Sequence, residues 1–167
     1  MLISIISDMH DNLVNLEKFL AWAKANKVEQ LFVLGDICAP ATLKEILAPG
    51  FSGKIHIVYG NVADRENEMK VAQNFSHLIH YGDLAEFEID RRKIALTHYP
   101  NIAKELAQTA KYDFIFYGHS HQPWIEHIGK TIVSNPGTLA GMFYKATFAI
   151  WDTATGKLEL KILELIK

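Results

Sequence analysis

Leu2-Ile3-Ser4-Ile5-Ile6-Ser7-Asp8-Met9-His10 begins with a short apolar run and passes directly into polar residues. Such a run, followed by apolar residues that recur at helical spacing through about Lys27, predicts a buried strand and a helix packed on it. The pattern repeats, with a strand at 31–34, a short helix at 41–47 and a third strand at 55–59. Strands that alternate with helices in this way pair in parallel through right-handed crossovers.

The second half of the chain predicts further strands around one helix at 102–110. Turn residues at 81–83, at 90–92 and beyond separate these strands, and the last four strands alternate as antiparallel strands do. The predicted strands are 78–80, 85–89, 94–97, 114–117, 124–127, 131–133, 146–151 and 158–163. We therefore expect a layered α/β fold with mixed sheets and outer helices, and a single domain over residues 1–167.

Composition narrows the class of protein without indicating its chemistry. The chain has 167 residues, 49% of them hydrophobic, and a net charge of -2, which argues against a general nucleic-acid binder. No apolar run approaches the ~20 residues that span a bilayer, and the N-terminus lacks the pattern of a signal peptide. The single cysteine, Cys38, excludes an internal disulfide and favours a cytoplasmic location.

Polar residues of the types that bind metals follow five of the predicted strands. Because the carboxyl ends of parallel strands lie along one rim of a sheet, we expect these side chains to converge. They are Asp8 and His10, Asp36, Asn61, His98, and the pair His119 and His121. Taken singly, an Asp-x-His or Gly-Asp is more often a turn than a site, so the prediction depends on the joint pattern.

The spacing and neighbours of these residues favour a metal centre. Two residues apart in an extended segment point the same way, so Asp8 with His10, and His119 with His121, would share a cavity. Glycine before Asp36, Asn61 and His119 removes a side chain where the backbone turns beside a packed cluster. Oxygen and imidazole donors suit manganese, iron, cobalt, nickel or zinc ions, and the lack of cysteine ligands argues against a structural zinc site.

At these residues the chain resembles the calcineurin-like metallophosphoesterase superfamily, and in its length the small prokaryotic phosphodiesterases of that superfamily. The matching blocks are Asp8-Met9-His10, Gly35-Asp36, Gly60-Asn61, His98 and Gly118-His119-Ser120-His121. The resemblance implies the metallo-dependent phosphatase fold, in which two mixed β-sheets pack as a sandwich flanked by helices. It also implies a hydrolase that attacks phosphodiesters with a hydroxide bridging two metal ions, manganese being favoured.

The resemblance implies two sets of ligands that share one carboxylate. Asp8, His10, Asp36 and His121 would hold one ion, and Asp36, Asn61, His98 and His119 would hold the other. Asn61 and His98 would also act in catalysis. The partner would be a small phosphodiester, with no membrane and no stable nucleic-acid partner, and the sequence is compatible with a homo-oligomer.

Three departures from the family pattern surround these blocks. Val62 occupies the position where many relatives place a histidine that protonates the leaving group. Asp64 lies three residues after Asn61, whereas the family's acidic residue lies two after it, and Tyr99 follows His98 where relatives often have glycine. Two alternatives therefore stay open: a phosphomonoesterase or nuclease acting on short oligonucleotides, and a protein-interaction scaffold of the same fold.

Overall fold

Two mixed β-sheets pack face to face in the computed structural model, which describes residues 1–166. One sheet has six strands in the order β11-β10-β1-β2-β3-β4, and the other has five in the order β5-β6-β7-β9-β8. The strands are β1 Leu2–Ile6, β2 Gln30–Val33, β3 Lys54–Ile57, β4 Leu78–His80, β5 Leu84–Ile89, β6 Arg92–Thr97, β7 Phe114–Phe116, β8 Trp124–Ile128, β9 Thr131–Asn135, β10 Thr147–Asp152 and β11 Lys157–Ile162. The predicted sandwich of mixed sheets is confirmed.

Helices cover the outer faces of both sheets. They are α1 Leu13–Ala25, α2 Pro40–Thr42, a π-helical turn Leu43–Leu47, α3 Ala48–Gly50, α4 Arg65–Ala72, α5 Pro100–Gln108 and a final 3₁₀ turn Leu163–Leu165. In the described residues 1–166, none of these helices combines the length and the apolarity that a membrane crossing requires.

β1 shows why its sequence is a nearly continuous apolar run. Ile3 and Ile5 are fully buried in the core between the two sheets, while Ile6 faces the core beneath the helices. A strand that is covered on both faces needs apolar residues at almost every position. β1 lies at the centre of its sheet, parallel to β2 and antiparallel to β10. Its carboxyl end therefore opens onto the rim where the polar residues were expected.

Several predicted elements differ from the structure. The helix predicted at 41–47 is longer, because residues 40–50 form one helical segment with a π-helical turn inside it. Helix α4 was not predicted, since only Glu68 and Ala72 of its eight residues are buried and no apolar stripe shows. By contrast, the predicted turn at 81–83 is present, and it carries the chain from β4 in one sheet to β5 in the other. The last four strands form two hairpins, β8–β9 and β10–β11, one in each sheet.

His56 on β3 is a buried structural histidine. Its Nδ1 lies 2.9 Å from the Tyr81 hydroxyl and its Nε2 lies 3.0 Å from Gln30 Oε1, and the ring stacks on Phe87. Burial, helped by the charge of Lys54, lowers the pKa of His56 to about 4. The folded chain therefore keeps this imidazole neutral at pH values where the unfolded chain protonates it.

This difference predicts a loss of stability in mild acid. The unfolded chain binds the extra proton between pH 6.5 and about 4, so the stability contribution is complete above that window and falls as the pH drops through it. From pH 6.5 to 4.5 we expect the metal-free protein to lose on the order of 2 kcal/mol more unfolding free energy than the His56→Phe variant does. Denaturant titrations across this range measure the difference. His127→Gln, at an exposed position on β8, is the control, and equal pH slopes for wild type and His56→Phe would contradict the prediction.

Candidate metal centre

The seven side chains predicted to bind metal lie together at one rim of the sandwich. They follow the carboxyl ends of β1, β2, β3, β6 and β7, so the convergence expected from the sequence is what the structure shows. Asp8, Asp36 and His98 form the buried floor, whereas Asn61 and His119 are exposed at the open side. The arrangement leaves one face of the cluster accessible to a ligand from solution.

Asp8, His10 and His121 form one half of the cluster. The Nε2 atoms of His10 and His121 are 3.2 Å apart, and Asp8 Oδ1 lies 3.2 Å from His121 Nε2. Asp8 Oδ1 is buried and has no hydrogen-bond partner among the described residues 1–166. A buried carboxylate oxygen without a partner is costly in free energy, so this oxygen needs a cation or a donor beside it.

Asp36, Asn61, His98 and His119 form the other half. Asn61 Oδ1 lies 3.0 Å from His98 Nε2 and 2.7 Å from His119 Nδ1. Asp36 Oδ2 lies 3.4 Å from His98 Nε2. The ligand atoms of four different loops thus face one small volume.

The carboxylate of Asp36 lies between the two halves. Its Oδ1 accepts a hydrogen bond of 3.1 Å from the backbone N–H of Val62. Its Oδ2 is 3.4 Å from His98 Nε2 and 3.8 Å from His10 Nε2. Oδ1 is thus held by the backbone, and Oδ2 is the oxygen that faces a histidine of each half.

The pKa directions of Asp36 and His98 show which charge this volume favours. Burial would raise the pKa of Asp36, but the hydrogen bond and charge of His98, the Val62 N–H and the charge of His10 together outweigh it and lower the pKa. Burial would lower the pKa of His98, but the carboxylates of Asp36 and Asp8 and the hydrogen bond to Leu34 together outweigh it and raise the pKa. In both cases the neighbouring groups favour positive charge beside the carboxylates. Divalent cations with a preference for oxygen and imidazole ligands fit such a site.

The backbone brings these residues together in a way that differs from the prediction. Asp8, His10, Asp36, His119 and His121 all have φ between 41° and 70°. Such left-handed conformations are uncommon for residues other than glycine and concentrate at functional sites. The expectation of an extended segment is therefore wrong for both pairs. Asp8 and His10 still lie in the same half of the cluster. His121 faces Asp8 and His10, while His119 faces Asn61 in the other half.

The glycines of the predicted blocks allow the loops to approach one another. A Cβ on Gly60 would overlap the carboxylate and the backbone nitrogen of Asp36. A Cβ on Gly118 would overlap the Ser7 hydroxyl, and Gly35, at φ 94°, lies directly against the backbone of Gly60. The close packing expected from Gly-Asp and Gly-Asn is present.

Hydrogen bonds to backbone carbonyl oxygens fix the orientation of two imidazoles. His98 Nδ1 lies 2.7 Å from the carbonyl oxygen of Leu34. When Nδ1 donates to this oxygen, Nε2 faces the cluster. His121 Nδ1 lies 3.4 Å from the carbonyl oxygen of Met142, a longer contact of the same kind. Such partners hold a ligating histidine in one tautomer and one orientation.

Two further residues support the cluster. The Nδ2 of Asn135 donates to the Gly118 carbonyl at 2.8 Å and to Ser120 Oγ at 3.0 Å. Thr138 Oγ1 donates to the Asp8 carbonyl at 2.9 Å. Both residues are fully buried polar groups. The Ser-Asn-Pro-Gly run at 134–137 was the available signal for Asn135, and no pattern marked Thr138.

The departures from the family pattern also have defined places. Asp64 caps helix α4, where its Oδ1 accepts a hydrogen bond of 3.3 Å from the Asn67 N–H. The Val62 side chain is exposed, but its backbone N–H holds Asp36. The ring centroid of Tyr99 lies 5.9 Å from that of His119, at the open side of the cluster. Trp124 lines a cleft of about 360 Å³ beside Ser120.

Comparison with known proteins identifies the family of this chain. The sequence profile of the calcineurin-like phosphoesterase superfamily domain matches residues 1–156. Phosphodiesterase MJ0936 of Methanocaldococcus jannaschii is 27% identical over 168 residues, which cover 98% of this chain and 100% of that protein. Phosphodiesterase YfcE of Escherichia coli is 26% identical over 150 residues, which cover 80% of this chain and 77% of that protein.

A solved structure shows the same similarity in three dimensions. An archaeal phosphodiesterase superposes with a TM-score of 0.89 at 27% sequence identity, over 97% of this chain and 99% of its own. The fold, the order of the polar blocks along the chain and the full-length similarity lead to the same assignment. The chain belongs to the calcineurin-like phosphoesterase superfamily.

Proposed function

We propose that the protein is a metal-dependent phosphodiesterase. The observation that carries the proposal is the convergence of all seven predicted side chains at one open rim, with a buried, unpartnered carboxylate oxygen at its floor. Two relatives that match this chain over most or all of its length are named phosphodiesterases. Their names support diesters as the substrate class.

The donor atoms support two metal sites. We assign Asp8, His10, Asp36 and His121 to one ion, and Asp36, Asn61, His98 and His119 to the other. Asp36 Oδ2 would serve both, since it is the free oxygen between His98 and His10. The mixed oxygen and nitrogen donors suit manganese, which we favour over iron, zinc, cobalt or nickel. When bound, such cations lower the pKa of coordinated water and stabilise negative charge on phosphate oxygens.

The side chains of the cluster divide the remaining work. The buried carboxylates of Asp8 and Asp36 supply negative charge that only cations can balance. Asn61 is exposed and turns its Oδ1 toward two imidazoles, which leaves its Nδ2 free to donate a hydrogen bond to a phosphate oxygen. His98, oriented through Leu34, keeps its Nε2 toward the cluster, and we propose Asn61 and His98 as the residues that act in catalysis.

The alternatives find less support in the site. A scaffold with a degenerate site predicts missing ligands, whereas every one of the seven is present. The net charge of -2 gives a long nucleic acid no general attraction, so we propose a small diester as substrate and no stable nucleic-acid partner. A cytoplasmic location, no association with membranes and compatibility with a homo-oligomer complete the proposal.

Turnover of two substrates by the manganese-loaded protein, with a chelated control, tests this function. We expect hydrolysis of an activated aryl phosphodiester, much slower hydrolysis of the matching monoester, and no activity after treatment with a chelator. Preference for the monoester would favour the phosphomonoesterase alternative. A metal-replete protein without turnover above the chelated control would favour the scaffold.

The side chain of Val62 predicts how the rate depends on the leaving group. Valine donates no proton, so the departing oxygen leaves largely as an anion, and general acid catalysis worth about 10²–10⁴-fold is missing. Hydrolysis should therefore slow steeply as the leaving-group pKa rises, with aryl diesters cleaved far faster than alkyl diesters. A series of diesters with graded leaving groups, at saturating metal, measures the slope. Similar rates across the series, with the chemical step limiting, would mean that another residue supplies the proton.

A further inference from the structure

The loop between β9 and β10 presents three consecutive apolar side chains to solvent. Met142 is 42% exposed, Phe143 is 87% exposed and Tyr144 is 45% exposed. A phenylalanine that is almost fully exposed contributes no hydrophobic free energy to the folding of this chain. Packing in the core therefore does not explain why the ring is there.

Phe143 is also held in an uncommon backbone conformation. Its φ is 65°, a left-handed value that is unfavourable for a bulky residue. Strain of this kind persists only where the surrounding structure enforces it, and it concentrates at ligand-binding sites.

Contacts with the metal centre hold the chain just before Phe143. The Ala140 N–H donates to the Asp8 carbonyl at 3.1 Å, and Asn15 Nδ2 donates to the Leu139 carbonyl at 2.8 Å. The carbonyl of Met142 faces His121 Nδ1 at 3.4 Å. The N-terminal side of the loop is thus tied to two cluster residues and to helix α1.

The aromatic ring lies directly beside the cluster. The ring centroids of Phe143 and His121 are 5.6 Å apart at an angle of 42°, within the range of aromatic rings in contact. Phe143 also borders a cleft of about 530 Å³, whose other walls include Asn15, Lys18 and Tyr144. One side of the ring therefore contacts a cluster imidazole while the rest of it faces open space.

We propose that Phe143 binds a planar, aromatic arm of the phosphodiester, so that the site selects diesters in which one ester group is an aryl ring or carries a nucleobase. The proposal rests on the proposed function, because it takes the substrate to be a diester bound at the cluster. An ester arm must point away from the cluster toward solvent, and Phe143 is an exposed aromatic ring in contact with the cluster residue His121. Tyr99, beside His98 and His119 in the other half, is half-buried. A flat apolar arm would bury the ring face that water now covers.

Binding of diesters with poor leaving groups tests the proposal without turnover. Isothermal titration of the manganese-loaded protein compares dimethyl phosphate, methyl benzyl phosphate and the methyl ester of thymidine monophosphate, all of which have alkyl leaving groups. We expect the two aromatic ligands to bind roughly tenfold more tightly than dimethyl phosphate. The benzyl and thymidine ligands separate a general preference for an aromatic ring from recognition of a nucleobase.

Variants at Phe143 identify the ring as the cause. Phe143→Ala should lose the tenfold preference and bind dimethyl phosphate within about twofold of wild type, while Phe143→Tyr should keep the preference. The residue is exposed, so neither change threatens the fold, and thermal unfolding of each variant checks this.

Each result has one reading. Equal binding of all three ligands by the wild type, or an unchanged preference in Phe143→Ala, overturns the proposal. So does an oligomer that dissociates in Phe143→Ala without a change in ligand preference, because the ring would then be an interface between copies of the chain. Selective binding of aromatic diesters without any hydrolysis would support the aromatic site and overturn the proposed function.

Discussion

Asp36→Asn is expected to remove both bound metal ions and to lower diester hydrolysis by roughly 10³-fold or more. The substitution keeps the shape of the side chain and removes the negative charge of the one oxygen that faces both His98 and His10. The Val62 N–H can still donate to the amide oxygen, so the loop should keep its position. Metal analysis of the purified variant and titration with manganese measure the loss directly.

Asp64→Asn is the matched control for this change. Asp64 lies in the loop that follows Asn61 and caps helix α4, and asparagine caps helices as well as aspartate does. We expect this variant to bind two ions and to retain wild-type activity. Two tightly held ions in Asp36→Asn would contradict the shared carboxylate, and a loss of metal in Asp64→Asn would place Asp64 among the ligands.

Gly60→Ala should lower activity by roughly a hundredfold or more while the fold survives. The added methyl group would occupy the space of the Asp36 carboxylate and backbone nitrogen, so the two loops must separate. Asp36 and Asn61 would then move apart, and both halves of the cluster would lose their geometry. Manganese affinity and turnover should fall together, with circular dichroism close to that of the wild type.

Gly129→Ala provides the comparison for Gly60→Ala. Gly129 lies at the β8–β9 hairpin, has a φ of 60°, and a Cβ there meets nothing within 4 Å. We expect a modest loss of stability from backbone strain and no change in metal affinity. Equal effects of the two substitutions on turnover would show that the close approach of Gly60 to Asp36 is not what matters.

The sequence was sufficient to predict which residues meet, because parallel strands bring their carboxyl ends to one rim whatever the details of the loops. Apolar runs such as Leu2–Ile6 mark strands buried on both faces. The polar residue that follows each run therefore lies at the carboxyl end of a strand, and no other signal is needed to place it there. The same reasoning failed on the backbone at Asp8 and His119. Left-handed conformations of non-glycine residues arise from packing between distant loops, which no local pattern records.

Helix α4 was also missed. It is mostly exposed, and its stability comes from the cap at Asp64 and from the burial of Glu68 and Ala72, so hydrophobic spacing gave no signal. The predicted turn at 81–83 is present, but the sequence did not show that it connects two sheets. A tight turn and a crossover between layers use the same residues, and only the pairing of β4 with β3 distinguishes them.

The antiparallel pairing of β1 with β10 has a consequence for synthesis of the chain. Leu2 is opposite Asp152 in this pair, so the central strand of the larger sheet completes its hydrogen bonding only with residues made long after it. Until then the nascent chain exposes an apolar edge, which favours aggregation or capture by a chaperone. The Leu139 and Ala140 N–H groups, which donate to Ser7 and Asp8, are also made long after their partners. Metal should therefore bind only once residues 139–152 have been made, as a late step of maturation rather than as a nucleus for folding.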